Sequence, residues 1–465
     1  MKPKDALSER WQATLAQKRD EPAIFNRRGQ VAFTFRGIDE RARDFESKIE
    51  NFDAGSVVAI QIGNHEDWPS ILIACLRRGV VVLPLEQSIS DQQRDAALKI
   101  CKVSGIVAAG RAIEILPMRT SAATTNWGKS RPSFLKLTSG TTATPRAIRF
   151  RSGQLLADCD QICDTMGISD VDLNFGVIPV SHSYGFSNLL TPLIARGVAL
   201  VLSQDRTPRA VLEDLAKTDA TVFPGMPVLY QAFCEMEVVS PLSKLRICIS
   251  AGAPLPIAVA KKFRERFGLP IHSFYGASEC GGICYDREAA SDGEGFVGSP
   301  MKDVELEMID PRTEATQIRI RSAAVGDGYF PDVDEEKLGN GVFVPDDLLA
   351  RHDSGFKIVG RVSDVINVAG KKVNPAEIEE RLLRFPGVRQ AAAFGRPAGA
   401  GLRNAEVVAC VVADVDLREN EILEFCRNAL SAWQVPKRIF IVDSIPTNER
   451  GKISRRQLER RFQQR

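Results

Sequence analysis

Through about the first 270 residues, short runs of β-branched and apolar residues alternate with stretches whose apolar positions recur every three to four residues. Ser56-Val-Val-Ala-Ile-Gln-Ile reads as a buried strand, Trp68 to Arg78 as a helix closed by Gly79, and Val80-Val-Val-Leu-Pro-Leu as the next strand. A helix from Asp91 to Val103 precedes Ile106-Val-Ala-Ala. The rhythm continues with Phe175-Gly-Val-Ile-Pro, a helix from Asn188 to Arg196, Val198-Ala-Leu-Val-Leu, a helix from Arg209 to Lys217 and Thr221-Val-Phe-Pro. It recurs in Leu245-Arg-Ile-Cys-Ile-Ser, a helix from Pro256 to Phe267 and Ile271-His-Ser-Phe-Tyr. Strand, helix, strand with glycine at helix ends predicts wound α/β sheets.

Beyond about residue 290 the pattern changes to Gly-rich and Asp-rich turns between short strands, at Val304 to Ile309, Gln317 to Arg321, Gly341 to Val344 and Gly355 to Val359. These predict a small β subdomain. A further unit begins near Gly360-Arg361. Its first helix is marked by Asn374 as N-cap, Pro375 at the first helical position and Glu377 three residues after the cap. Strands at Gln390 to Phe394 and Glu406 to Val412, a helix from Glu419 to Trp433, a strand at Arg438 to Val442 and a terminal helix complete a compact α+β unit. The expected organisation is α/β: a large N-terminal domain over 1–360, made of wound α/β subdomains plus the small β subdomain, and a small C-terminal domain over 361–465. No internal repeat or low-complexity segment interrupts it.

Composition narrows the function classes. The 465 residues carry 61 Lys plus Arg against 59 Asp plus Glu, a net charge of +2, with 26% charged and 44% hydrophobic residues. That balance excludes a surface built to coat nucleic acid, so phosphate, if handled, is handled by a few placed groups. The ten cysteines are scattered without CxxC pairs and sit mostly in apolar stretches, as buried thiols of a reducing compartment do. Cys280 and Cys284 have no neighbouring histidine, which argues against zinc. The charged start, Met1-Lys-Pro-Lys-Asp, has no apolar leader core, and no apolar run approaches the roughly 20 residues of a membrane span. A cytoplasmic protein with no integral membrane segment is expected.

The chemistry concentrates in a few strings. In Leu137-Thr-Ser-Gly-Thr-Thr-Ala-Thr-Pro-Arg146, five hydroxyls and a glycine follow an apolar strand and lead to a base. Small residues let backbone amides approach an anion, hydroxyls add donors and a cation completes a phosphate cradle. The GxxxxGK[S/T] phosphate loop is absent from the chain. Phe274-Tyr-Gly-Ala-Ser-Glu279 puts an aromatic ring, a hydroxyl and a carboxylate directly after a predicted strand, where α/β folds place ligands. Phe343-Val-Pro-Asp-Asp-Leu348 ends a strand with paired acids, Gly360-Arg361-Val-Ser-Asp364 opens the last unit, and Pro446-Thr-Asn-Glu-Arg-Gly-Lys-Ile-Ser-Arg455 sets a lysine in a polar loop.

Together and in this order these strings resemble the adenylate-forming superfamily of acyl-CoA synthetases, nonribosomal adenylation domains and luciferases, over about residues 20 to 460. Thr138 to Ala147 is similar to the family's T-S-G-S/T-T-G-x-P-K-G, Tyr275 to Glu279 to Y-G-x-T-E, and Asp347-Leu348 to the end of T-G-D-L. Gly360 to Glu379 resembles G-R-x-x-D-x-I-x-x-x-G-x-x-V-x-P-x-E-I-E, and Pro446 to Arg455 resembles P-x-T-x-x-G-K-I-x-R with Asn448 at the Thr position. The resemblance implies that Thr138, Ser139, Gly140, Thr141, Thr142 and Arg146 hold the phosphates of ATP. It implies that Tyr275 stacks on adenine beside Gly276, that Ser278 contacts the α-phosphate and that Glu279 reaches Mg²⁺. Ala251, Gly252 and Ala253 join the cofactor-binding set, Asp347 takes the ribose hydroxyls, and Arg361 binds ribose or phosphate. Lys452 bridges the substrate carboxylate and the α-phosphate, neutralising charge where two anions meet. The C-terminal domain is then mobile, turning about Ser363, and Gly370 with Lys371 and Lys372 forms the strand edge that meets pantetheine.

The departures are Ala143 and Ala147 at glycine positions, Arg146 for lysine, and Pro345-Asp346 for Thr-Gly. Where such a glycine needs a positive φ, alanine is strained. Pro179-Val-Ser-His-Ser-Tyr-Gly185 resembles the P-x-x-H-x-x-G of acyl-CoA and aryl-CoA ligases, which implies that His182 lines the acyl entrance. No aspartate stands between Asp172 and Leu202 to pair a substrate ammonium. The expected wall of Phe186, Phe223 to Met226, Ala251 to Ala253 and Phe274 is mostly apolar. The small acid is therefore expected to be a fatty or aryl carboxylic acid, activated with pyrophosphate release and passed to CoA or to the phosphopantetheine of an acyl carrier protein. The stretch from Pro446 to Arg465, with seven bases against two acids, suits either acceptor. Two alternatives stand beside this reading: an enzyme that stops at the acyl-adenylate and hands it to a partner, and a degenerate non-enzyme that binds nucleotide or acyl ligands.

Overall fold

In the computed structural model the strands Val57–Gln61, Val81–Pro84 and Phe134–Leu137 lie parallel, and Val103–Ala109 flanks Val57–Gln61 on its other side. The structure describes residues 5–110, 112–118, 125–128, 130–138, 146–237, 241–290, 292–368, 371–397, 405–414, 417–446, 453 and 455–462. They divide into two units, Met1–Glu307 with Arg319–Val344, and Met308–Ile318 with Pro345–Arg465. This division by compactness places the hairpin over 347–361 in the second unit.

The first sheet of the first unit continues from Phe134–Leu137 into the antiparallel Ala147–Phe150 and then Gly328–Phe330. Its core is the run of Val57, Ala59, Val81, Leu83, Leu85, Leu135 and Ala147. Val58, Ile60 and Val82, which point to the opposite face, are buried as well, so the sheet is covered on both sides. Trp68–Arg78 forms the predicted helix, and it stops where Gly79 adopts φ +71 and its N–H reaches the carbonyls of Cys75 and Leu76.

A second sheet holds six parallel strands in the order Ile271–Ala277, Ile247–Ser250, Val222–Gly225, Leu173–Gly176, Ala199–Leu202 and Pro22–Phe25. Val31–Thr34 and Gly281–Tyr285 pair antiparallel at its two ends. One predicted helix is built differently. The stretch expected as regular helix from Asn188 to Arg196 is a π-turn, Phe186–Leu190, followed by the helix Thr191–Arg196. Pro192 lacks an N–H, and the Thr191 hydroxyl donates to the carbonyls of Ser187 and Phe186, so the ladder widens there. The ten cysteines are free and buried. Among the described residues no helix is long and apolar enough to cross a membrane.

In the second unit Asp347–His352 and Gly355–Arg361 form an antiparallel hairpin, and Ile366–Val368 pairs with Lys371–Val373. Val388–Pro397, Ala405–Ala413 and Arg438–Ile441 make a three-stranded sheet. Alternation divides its residues between two cores: Ala391, Ala393, Val407, Ala409 and Val411 face the helices Pro375–Leu383 and Glu419–Arg427, while Ala392, Phe394, Val408, Cys410 and Val412 face Arg455–Phe462. Asn374 caps its helix as predicted, accepting from the Ala376 N–H at 3.1 Å. The helix expected to reach Trp433 ends at Arg427: the Ala429 N–H turns back to Cys426 O at 3.1 Å, and the Phe425 carbonyl that would continue the ladder accepts from the Arg381 guanidinium at 2.8 Å.

Candidate active site

The parallel strands Val222–Gly225, Ile247–Ser250 and Ile271–Ala277 end on one edge of their sheet, and the sequence motifs follow directly from those ends. Open α/β sheets bind ligands at this edge. Ala251 follows the middle strand and is buried, its N–H donating to Gly225 O at 3.3 Å, with Gly252 and Ala253 after it. Tyr275 is buried within the last strand, Gly276 is exposed beside it, and Ser278 and Glu279 lie just past its end.

The predicted phosphate loop springs from an antiparallel pair. Its neck is closed by the Thr138 N–H and hydroxyl, which donate to Arg146 O at 2.8 and 3.1 Å. Ser139, Gly140, Thr141, Thr142 and Ala143 lie outside the described residues. Ala147 pairs with Leu137 as ordinary buried strand, so alanine at that position carries no left-handed strain. The Arg146 guanidinium lies over the Tyr329 ring, 4.3 Å from its centroid, a stacking a lysine would not reproduce in the same way.

Tyr329 also reaches the predicted Mg²⁺ residue, its hydroxyl donating to Glu279 Oε1 at 3.1 Å, while Gly326 N–H holds the Glu279 carbonyl at 2.9 Å. Burial pushes the Glu279 carboxyl above its ordinary range, opposed by the Tyr329 bond and by the charges of Lys337 and Lys136. Lys136, on the strand that feeds the phosphate loop, is 3% exposed. Its ammonium lies 4.5 Å from the Phe150 ring and 5.8 Å from that of Phe186, and burial lowers its pKa against the pull of Asp158 and Glu279. Asp158 is buried below the same edge, accepting from the Gly282 N–H at 3.0 Å and from the Ser187 hydroxyl.

His182 stands in a tight turn. Its N–H donates to Pro179 O at 3.0 Å and its carbonyl accepts from Phe186 N at 2.8 Å. A Cβ on Gly185 would meet Pro179 O at 2.1 Å, so only glycine fits that position. The neighbouring Ser183 hydroxyl donates to Ser278 Oγ at 3.0 Å, which joins the predicted acyl entrance to the predicted α-phosphate contact.

The expected apolar wall is only partly available to a ligand. Phe186 packs on Phe134 with centroids 4.2 Å apart, and Phe223 packs against Phe175, Tyr230 and Phe233, so both rings belong to the core. Tyr184 sits with Phe274 instead, at 5.8 Å, its hydroxyl donating to Gly225 O at 3.2 Å. Among the described residues no three His, Cys, Asp or Glu side chains group to hold a metal. A lone carboxylate such as Glu279, completed by ligand phosphates, is the donor set Mg²⁺ takes in nucleotide sites.

In the second unit the Arg361 Nε donates to Asp347 Oδ1 at 2.7 Å across the hairpin. Ser363 lies in the 3₁₀ turn Val362–Asp364. Gly370 and Lys452 lie outside the described residues. Three residues beyond Lys452, Arg455 donates to Asp364 at 2.6 Å, to both Glu379 oxygens at 2.8 and 3.0 Å, and to Ala393 O at 3.1 Å. The structure sets Ser278 beside the His182 segment and places Arg361 on Asp347. Sequence reading misses Tyr329, Lys136 and Asp158. Of these only Lys136, a charge inside an apolar strand, left a signal in the sequence.

A family model described as AMP-binding enzyme matches residues 11–330, and another, AMP-binding enzyme C-terminal domain, matches residues 377–452. The chain belongs to the AMP-binding enzyme family, within the adenylate-forming superfamily. Among similar members, feruloyl-CoA synthase of an Amycolatopsis species is 26% identical over 471 residues, spanning 94% of this chain and 95% of its own. A long-chain-fatty-acid–CoA ligase of Escherichia coli O6:H1 is 25% identical, spanning 97% of this chain and 94% of its own. ATP-bound MatB from Rhodopseudomonas palustris shares the fold with a TM-score of 0.85 at 20% identity, over 98% of this chain and 99% of that one. The anthranilate CoA ligase AuaEII in complex with anthranoyl-AMP gives a TM-score of 0.82 at 20% identity, over 98% of this chain and 96% of that one.

Proposed function

We propose that this AMP-binding enzyme is an AMP-forming acid–thiol ligase of the cytoplasm that activates an apolar, fatty or aryl carboxylic acid. A carboxylate oxygen attacks the α-phosphorus of ATP, the bond to the β-phosphate breaks and pyrophosphate leaves. A thiol then attacks the acyl carbonyl, forming the thioester and releasing AMP. The thiol belongs to CoA or to the phosphopantetheine of an acyl carrier protein, and the names of relatives acting on both aryl and fatty acids support the acid class.

The observation that carries the reading is a set of contacts that meet at the adjacent Ser278 and Glu279: Arg146 over Tyr329 to Glu279, and Ser183, beside His182, to Ser278. Phosphate-side and acid-side groups thereby adjoin, as attack of a carboxylate on a phosphate requires. Thr138 with the loop to Thr142 and Arg146 hold the phosphates. Tyr275, Gly276 and Ala251 to Ala253 bound the adenine, and Asp347 with Arg361 takes the ribose. Glu279 holds Mg²⁺, which supplies charge neutralisation on pyrophosphate. Lys452 neutralises the approaching carboxylate, and Ser363 is the pivot about which residues 361–465 turn, bringing Gly370 to pantetheine. Acid-dependent pyrophosphate release, measured with and without CoA over a panel of fatty and aryl acids, tests the proposal. Release that requires an α-amino group, or no thioester with any acceptor, would overturn it.

A further inference from the structure

The histidine at the proposed acyl entrance has a carboxylate beside it that no motif announces. His182 Nε2 lies 3.1 Å from Glu86 Oε1, with the two side chains only 20% and 28% exposed. Both backbones are fixed independently. Glu86 follows the strand Val81–Pro84; Leu85 before it is buried and donates to Ile60 O at 2.9 Å, and Gln61 Nε2 donates to Glu86 O at 3.2 Å. On the other side the buried Asn64 side chain accepts from Val180 N at 2.9 Å and donates to Ile178 O at 3.2 Å, anchoring the turn that carries His182. Two side chains projecting from pinned backbones meet with less loss of freedom than an exposed pair, so their contact sets an orientation.

We propose that Glu86 is the positioning residue of His182, holding the imidazole in one orientation at the mouth of the acid site. The inference rests on the acyl-entrance role given to His182 above. It predicts an effect on the acid substrate and none on the nucleotide, because Glu86 acts only through the ring.

Two measurements on the full chain test it. Selective ¹⁵N labelling resolves the ring nitrogens of the four histidines. Glu86→Gln, which keeps the side-chain shape, should shift the His182 signals and leave His65, His272 and His352 in place. An unmoved His182 overturns the proposal whether or not any acid is activated. In acid-dependent pyrophosphate release, Glu86→Ala should raise KM for the acid about tenfold, leaving KM for ATP within about twofold, with Glu86→Gln intermediate. In a His182→Ala background the same Glu86→Ala change should have no further effect, the signature of two residues acting as one unit. Equal losses in both backgrounds would mean that Glu86 acts on its own and would overturn the positioning role. Wild-type protein that releases no pyrophosphate with any acid defeats the functional reading instead, and the ring signals still decide the inference.

Discussion

Two enclosed cations, one in each unit, show different uses of charge. Lys136 is 3% exposed and, among the described residues, has no carboxylate within ion-pair distance; it rests against two aromatic rings and feels Asp158 and Glu279 only through space. Arg455 keeps 21% of its side chain exposed yet is gripped by Asp364 and Glu379. The paired arginine fixes geometry, tying the turn Val362–Asp364 and the helix Pro375–Leu383 to the chain just past Lys452. The lysine is held against aromatic rings rather than a carboxylate, on the strand that leads into the phosphate-loop motif. Net charge near zero therefore conceals two separate arrangements, one cation held by carboxylates and one by rings.

The largest effect expected on this comparison is at the group Lys136 faces. Glu279→Ala should lower adenylation by roughly 10²- to 10³-fold, ~3 to 4 kcal/mol, as loss of one placed charge-stabilising group does. Steady-state rates at saturating Mg²⁺ check it, with unfolding midpoints showing that the fold survives. Next, Arg455→Met should destabilise the second unit by about 3 kcal/mol, since it leaves enclosed carboxylates without their partner. Urea unfolding monitors this, and pH sharpens it. Burial raises the pKa of Glu379, with Arg455 opposing, so the folded state binds this proton more tightly than the unfolded one. Stability from Glu379 is therefore present at low pH and falls as pH rises above the ordinary carboxyl value. Without Arg455 the fall should be steeper, and equal slopes in variant and wild type would break the pairing account.

A smaller change is expected from Tyr329→Phe, which removes the hydrogen bond to Glu279 but keeps the ring under Arg146. About 1 kcal/mol, or several-fold in rate, is the scale of one such bond, and Tyr329→Leu should lose more because Arg146 loses its seat as well. The smallest expected effect belongs to Lys136→Met. An isosteric apolar side chain relieves the burial of an ammonium, so stability at neutral pH should be unchanged or slightly higher by calorimetry. The lowered pKa of Lys136 means that the unfolded state binds this proton more tightly, so wild-type stability gains with rising pH towards the ordinary lysine value. The methionine variant should lack that gain.

These expectations also mark how far the sequence could be read. The helix Trp68–Arg78 and the capped helix at Asn374 were legible because cap, periodicity and glycine stop lie within one short window. The π-turn at Phe186–Leu190 was not, since it depends on Thr191 and Pro192 diverting a ladder that periodicity alone extends. Nor was the early end at Arg427, where the Arg381 side chain takes the Phe425 carbonyl. In the site the same division holds. Ser278, Glu279, His182, Asp347 and Arg361 stood out within short strings. Tyr329, 50 residues from Glu279, and Glu86, on a different sheet from the His182 turn, acquire meaning only when the sheets bring them together. Phe186 and Phe223 show the reverse error, apolar residues assigned to a ligand wall that the core takes for itself.

The central claim is that the acid is activated as an acyl-adenylate, and isotope transfer tests it most directly. A carboxylic acid labelled with ¹⁸O, incubated with the enzyme, ATP, Mg²⁺ and CoA, should deliver label into AMP, because the oxygen that attacks the α-phosphorus stays on AMP when the thiol takes the acyl group. Label appearing in inorganic phosphate with ADP as the other product would contradict the account.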